Sequence, residues 1–179
     1  MSTVFALIFS VAAILTRITP HMPNVVPIAA LAIWSGAYLP KRWGWSVPVV
    51  AMLASDGIVG FYDTRLMIVV YGSFIVSTII GWGVRGRFKP TRVLIATLGS
   101  SVFFFLSTNF AVWALSHWYA HTPSGLMLAY TYGLPFFRNT LLGDLSYSAT
   151  FFGVYELVIH LTRVNRIQWI APTRNEQAL

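Results

Sequence analysis

Cysteine is absent from the chain, which excludes disulfides, thiolate metal sites and a cysteine nucleophile. Acidic residues are scarce: five, against twelve Lys and Arg, so charged residues make up only 9% of 179. A soluble domain carries about 25% charged residues. With 56% hydrophobic residues and a mean hydropathy of +0.68, the composition is that of an integral membrane protein. No GxxxxGKS/T stretch occurs, so any ATP used in its work must be handled by a separate subunit. Long basic tracts are missing too. The net charge of +7 is spread over short clusters between apolar runs, a topology signal that argues against nucleic-acid binding. No basic n-region and no clear A-x-A site precede Arg17, so the first apolar run reads as a retained span. Repeats and low-complexity segments are lacking, and residues 1–179 read as one domain.

What is present fits a bilayer. Seven Trp and eight Tyr suit two interfacial belts. A span needs about 20 apolar residues, and six runs qualify: about 2–18, 24–39, 45–62, 66–84, 92–117 and 135–162. Pro27, Pro48 and Pro135 fall near expected helix starts, where a missing N–H costs least. The connections alternate in charge. Lys41, Arg42, Arg85, Arg87, Lys89, Arg92, Arg163, Arg166 and Arg174 fall on one side, and Arg17, Arg65 and Arg138 on the other. This bias predicts an all-α protein of six transmembrane helices with both termini cytoplasmic. TPHMPN (19–24), FYDTR (61–65) and the segment 117–135 then face outward, the last two as natural lids.

Ionisable and amide side chains inside spans are costly and face a partner or a cavity. Counted from the outer helix ends at 1.5 Å per residue, Asp56 lies roughly 9 Å deep, Asn109 roughly 12 Å and Asp144 roughly 13 Å. Three polar groups from three helices thus share one depth. That placement fits a buried hydrogen-bond network and equally the floor of a cavity open to the outside. Around it lie Phe105, Trp113, Tyr130, Tyr132, Phe136, Phe137, Asn139 and Tyr147, with Tyr62 on the outer loop and Asn24 on the outer turn. Aromatic walls with a few polar groups suit a large, flat, neutral ligand with polar side groups. Arg138 either binds such groups or snorkels to the headgroups.

In TPHMPN, Pro20 and Pro23 stiffen the turn that carries His21. The turn can serve simply to end one helix and start the next, or to hold the imidazole in one place. Elsewhere, Glu156 and His160 stand at i, i+4 and can pair on a helix surface. Ala6 and Ser10, and Ala32 and Gly36, are small pairs that permit close helix approach within the chain or to another subunit. His117 and His121 also stand at i, i+4, the spacing that puts two imidazoles on one helix face. With Asp63 or His21 they define a different reading, a membrane metalloenzyme with a site on the outer surface, although no HExxH motif accompanies them.

The succession PHMPN, PIAALAIWSGAYLP, SDGIVGFYD, FFFLSTNFAVW and GLPFFRNTLLGDLSYSATFFGVYE, over about residues 19–156, resembles the BtuM-type vitamin B12 transporters. These are similar to the S-components of energy-coupling factor (ECF) transporters. The resemblance implies a six-helix, multi-pass protein of the bacterial inner membrane. It would bind cobalamin as a substrate in an outward-facing cavity and would need no prosthetic group. A separate ECF-type ATPase module is recruited by some such proteins and not by others. Cobalamin uptake, and no catalysis beyond exchange of a cobalt ligand, is the activity implied. In that family a cysteine thiolate can ligate the cobalt, and this chain has none. His21 is therefore the candidate axial ligand, since imidazole suits such a metal and can replace an axial water or cyanide. Asn24, Asp56, Asn109, Asn139, Asp144 and Tyr147 would meet the amide groups of the corrinoid. A related transporter of another vitamin or metal chelate remains open, because a few cavity residues set the choice of substrate.

Overall fold

The computed structural model describes residues 1–86 and 88–170, with side chains through Arg163 except Arg87. Arg87, Arg174 and the side chain of Arg166, three of the basic residues used above, lie outside the described residues. All the regular structure described is helical. In chain order the helices are α1 (Ser2–Ile18), α2 (Ile28–Tyr38), α3 (Lys41–Gly44), α4 (Ser46–Val59), α5 (Thr64–Gly81), α6 (Pro90–Leu115) and α7 (Pro123–Ile170). A 3₁₀ turn, Trp82–Val84, extends α5. Thr64–Val84 and Pro90–Leu115 are each long and apolar enough to cross a membrane, and α1 and α2 are shorter apolar helices.

The first expected run coincides with α1, but α2 begins at Ile28, four residues after the expected start. The delay follows from local chemistry. Pro20, Pro23 and Pro27 interrupt the helical path, and Asn24 takes a left-handed φ of 62°, which Asn tolerates better than most residues. At 11 residues, α2 is only about 16 Å long, and Ile28 through Ala37 are all buried. It is the axis of the bundle, packed against α1, α4, α5, α6 and α7. A helix surrounded on all sides is apolar all round, and this one is built largely from Ala, Gly and Ser. Gly36 faces the Thr78 carbonyl and Gly81 faces the Ile33 carbonyl, both too closely for a Cβ. The Ala32/Gly36 pair thus serves contact within the chain, between α2 and α5.

The last helix differs most from expectation. It starts at Pro123, twelve residues before Pro135, and runs straight through that proline. Most of the segment 117–135 is therefore helix, and only Ser116–Thr122 remains as connecting chain. Proline at that point removes one backbone hydrogen bond, but packing overrides the loss. Gly125, Ala129 and Gly133, four residues apart, are buried. Gly125 lies against the Ala120 backbone and Gly133 against Asn109 of α6. Tyr130 Oη donates to the Leu106 carbonyl at 3.0 Å, and Phe105 packs on Tyr130 and Phe137.

Polar and apolar side chains are distributed inside-out. Ser35, Ser55, Ser77, Thr78, Thr97, Ser100 and Ser101 are fully enclosed, while Leu7, Ile8, Ile58, Ile68, Ile95 and Leu157 are more than half exposed. Hydroxyls tie the long helices together: Ser73–Ser107 at 2.9 Å and Ser100–Ser77 at 2.7 Å join α5 to α6, and Thr97–Ser148 at 3.0 Å joins α6 to α7. An aromatic cluster closes one end, with Phe9 stacked on Phe151 at 4.1 Å and Trp34 edge-on to Phe9 and Tyr155. There Glu156 accepts from Tyr38 Oη at 2.5 Å, which replaces the expected pairing with His160. Arg85 donates to the Gly36 carbonyl at 2.9 Å and to the Leu39 carbonyl, closing the otherwise unpartnered C-terminus of α2.

Candidate ligand-binding site

α6 and the first half of α7 present matching faces. Phe104, Phe105, Thr108, Asn109 and Val112 on α6 follow helical spacing, as do Tyr132, Gly133, Phe136, Phe137 and Thr140 on α7. Between them, under Trp118 and Tyr119 of the Ser116–Thr122 connection and beside Asn24 of the turn, lies an open cavity of about 390 Å³. A smaller void of about 50 Å³ continues from it, sharing Asn24, Phe104 and Thr140 and reaching Asp144. The lining is mainly aromatic, with amide and hydroxyl groups from Asn24, Asn109, Thr108 and Thr140 and the carboxyl of Asp144.

The expected site residues do not all gather at this cavity. Asn24, Asn109, Tyr132, Phe136, Phe137 and Asp144 line the cavity or its extension. Asn109 Nδ2 donates to the Phe105 carbonyl of its own helix at 2.8 Å, and its side-chain oxygen faces Gly133 of α7. Others support the walls from behind. Phe105 both lines the cavity and carries Tyr130, and Trp113 Nε1 holds the connection by donating to the Ala120 carbonyl at 3.0 Å. Asn139 Nδ2 donates to the Pro23 carbonyl at 3.2 Å, so it anchors the TPHMPN turn to α7. Tyr147 packs towards Phe151 at 6.4 Å, and Arg138 is exposed away from the lining.

Asp56 belongs elsewhere, which corrects the expectation that it lines one cavity with Asn109 and Asp144. It is 1% exposed, paired with Arg17 Nη2 at 2.6 Å and accepting from Tyr71 Oη at 2.6 Å. The Arg17 guanidinium also touches Met52 Sδ. Both carboxylate oxygens are committed, and Tyr62 lies outside the cavity lining with this group. Helix rotation, invisible to a count of depth, separates Asp56 from Asn109 and Asp144.

His21 is exposed, and its Nδ1 donates to the Thr19 carbonyl at 2.7 Å. A carbonyl only accepts, so in the neutral ring the lone pair resides on Nε2. Such an arrangement prepares an imidazole for a metal. His117 and His121 do not share a helix face. Both lie in the Ser116–Thr122 connection, where His121 Nε2 is 3.3 Å from the Ser116 carbonyl. Among the described residues no three His, Cys, Asp or Glu gather to hold a metal ion.

Phe104, Thr108, Val112, Trp118, Tyr119, Gly133 and Thr140 were missed by sequence reasoning. Those on α6 were within reach: Thr108 adjoins Asn109 in sequence, and Val112 and Phe104 lie three and five residues from it. Gly133 required knowing that the helix passes Pro135, whereas Thr140 already fell within the expected run 135–162.

The chain belongs to the DUF6580 family, a family of unknown function whose profile matches residues 1–167. No curated protein and no solved structure matches the chain.

Proposed function

We propose that the protein is a multi-pass protein of the bacterial inner membrane that binds cobalamin as a substrate for uptake, in the manner of the BtuM-type, ECF S-component-like transporters it resembles. A bilayer explains the inside-out distribution, since hydrocarbon accepts exposed Leu, Ile and Val but penalises unpaired polar groups. Six passes put both termini on the side of Lys41, Arg42, Arg85, Lys89 and Arg92, the cytoplasmic side by the positive-inside rule.

The observation that carries the substrate reading is the cavity, with aromatic walls and amides and hydroxyls at its edges; His21 is outside its lining, on the stiffened turn whose Asn24 does line it. Phe104, Phe136, Phe137 and Tyr132 give a corrinoid contact area. Asn24, Asn109 and Thr140 meet its amide groups, and His21 Nε2 takes an axial position on its cobalt. Passage inward needs a rearrangement of α7 against α6, driven by an ATPase module or by none.

A second reading draws on the cavity's size. At about 390 Å³ it lies near the low end of roughly 300–1,000 Å³ for small-molecule pockets. A complete corrinoid therefore requires the Ser116–Thr122 connection to move aside, whereas a smaller vitamin or chelate enters as the cavity stands.

The detergent-solubilised protein, mixed with cyanocobalamin or aquocobalamin and freed of excess, should retain about one corrinoid per chain. Its visible bands should shift, and His21→Ala should abolish the shift. Retention without any shift returns His21 to a purely structural turn. No retention of either corrinoid overturns the cobalamin reading in favour of the smaller ligand.

A further inference from the structure

Asp144, the acidic group lining the cavity's extension, has no charged partner among the described residues. Asp144 is 3% exposed, and the two ion pairs among the described residues, Arg17–Asp56 and Arg65–Asp63, are elsewhere. Ser101 Oγ donates to Asp144 Oδ2 at 2.7 Å, yet the same hydroxyl lies 2.9 Å from the Thr97 carbonyl. A hydroxyl has one proton, so even this donor is shared. An ionised carboxylate with so little compensation is costly in an apolar interior.

Beside it lies the void of about 50 Å³, whose other polar lining is Asn24 and Thr140. Thr140 Oγ1 donates to the Phe136 carbonyl at 3.0 Å, which leaves its lone pairs unused. One carboxylate with the neutral oxygens of Asn24 and Thr140, on a lining otherwise of Val26, Ala29, Phe74 and Phe104, is a hard-donor set, suited to a hard cation and not to a soft transition metal. The charge count then selects the ion. A single positive charge neutralises Asp144, whereas a divalent ion would leave a net charge in apolar surroundings.

We infer that Asp144, Thr140 and Asn24 form a site for one small monovalent cation of the sodium class at the floor of the cavity, with Ser101 holding the carboxylate from outside the void. The site rests on its own geometry and does not depend on which ligand the cavity above it takes. Because Asn24 and Thr140 also line that cavity, cation and ligand occupancy are linked, and each changes the affinity of the other by the same factor.

Thermal unfolding of the detergent-solubilised protein in sodium, potassium or choline chloride at equal ionic strength tests the inference. Sodium should raise the Tm saturably while choline does not, and Asp144→Asn should remove the difference. Should that variant fail to fold, Ser101→Ala keeps the carboxylate and should raise the half-saturating sodium concentration several-fold. An equal response to all three chlorides overturns the site, as does a sodium response that survives in Asp144→Asn. So does a wild type indifferent to sodium but stabilised by acid through Asp144, which would assign the carboxylate to a proton.

Discussion

Asp56 and Asp144 are both buried carboxylates, on α4 and α7, with 1% and 3% of their surface exposed. Their surroundings are opposite in kind. Asp56 has a guanidinium at 2.6 Å and a phenol at 2.6 Å, bonds that fasten α4 to α1 and α5. Asp144 has one shared serine hydroxyl and an open void. The first arrangement is complete without a ligand and holds helices together. The second is incomplete, and incompleteness at the floor of a cavity is what a binding site requires. Burial of an acid is therefore a poor guide to function until its partners are known.

The largest effect should come from breaking the complete arrangement. Arg17→Met leaves Asp56 buried without its cation, and loss of one partner of a buried pair costs about 3–5 kcal/mol. A large fall in Tm in detergent is expected, partly restored by adding Asp56→Asn. If Arg17→Met is no more harmful than Ser101→Ala, the contrast between the two carboxylates collapses.

Tyr71→Phe should be milder. It removes one hydrogen bond to a charged acceptor, worth about 1.5–3 kcal/mol, and leaves the Arg17 pair in place. The same unfolding assay checks it, and ligand retention should be unchanged because Tyr71 does not line the cavity or its extension.

The smallest effect concerns an exposed acid. Asp63 accepts from the Leu66 and Arg65 backbone N–H groups at 3.1 and 2.9 Å, capping α5. The Leu66 backbone hydrogen bond, followed by the Arg65 side chain, holds its carboxyl below the ordinary value of 3.8. A lowered folded pKa gives stabilisation that is present above 3.8 and lost as pH falls through the folded value. The difference in Tm between wild type and Asp63→Asn should thus be small near neutrality and vanish in strong acid. A difference that grows on acidification would contradict the cap.

The helical class and the extent of α1 were legible in the sequence, because apolar runs and their charged borders are local properties. The walls of the cavity were half legible. Asn109, Tyr132, Phe136 and Phe137 stand out as an amide and aromatics near one depth, but the matching α7 face extends across Pro135. A proline reads as a helix start when only its own backbone is considered, and the buried Gly125, Ala129 and Gly133 that carry the helix past it matter only once α6 lies alongside.

By itself the sequence determined that this chain is helical, that its few acids must find shelter, and that basic residues gather in short clusters between the apolar runs. Those follow from composition and the cost of a polar group in an apolar medium. Tertiary structure alone decided the partners. Arg17 meets Asp56 across 39 residues, Asn139 holds Pro23 across 116 and Tyr38 reaches Glu156 across 118. Such pairings depend on how each helix is rotated against its neighbours, which the packing of Gly36 on Thr78 and of Gly133 on Asn109 sets.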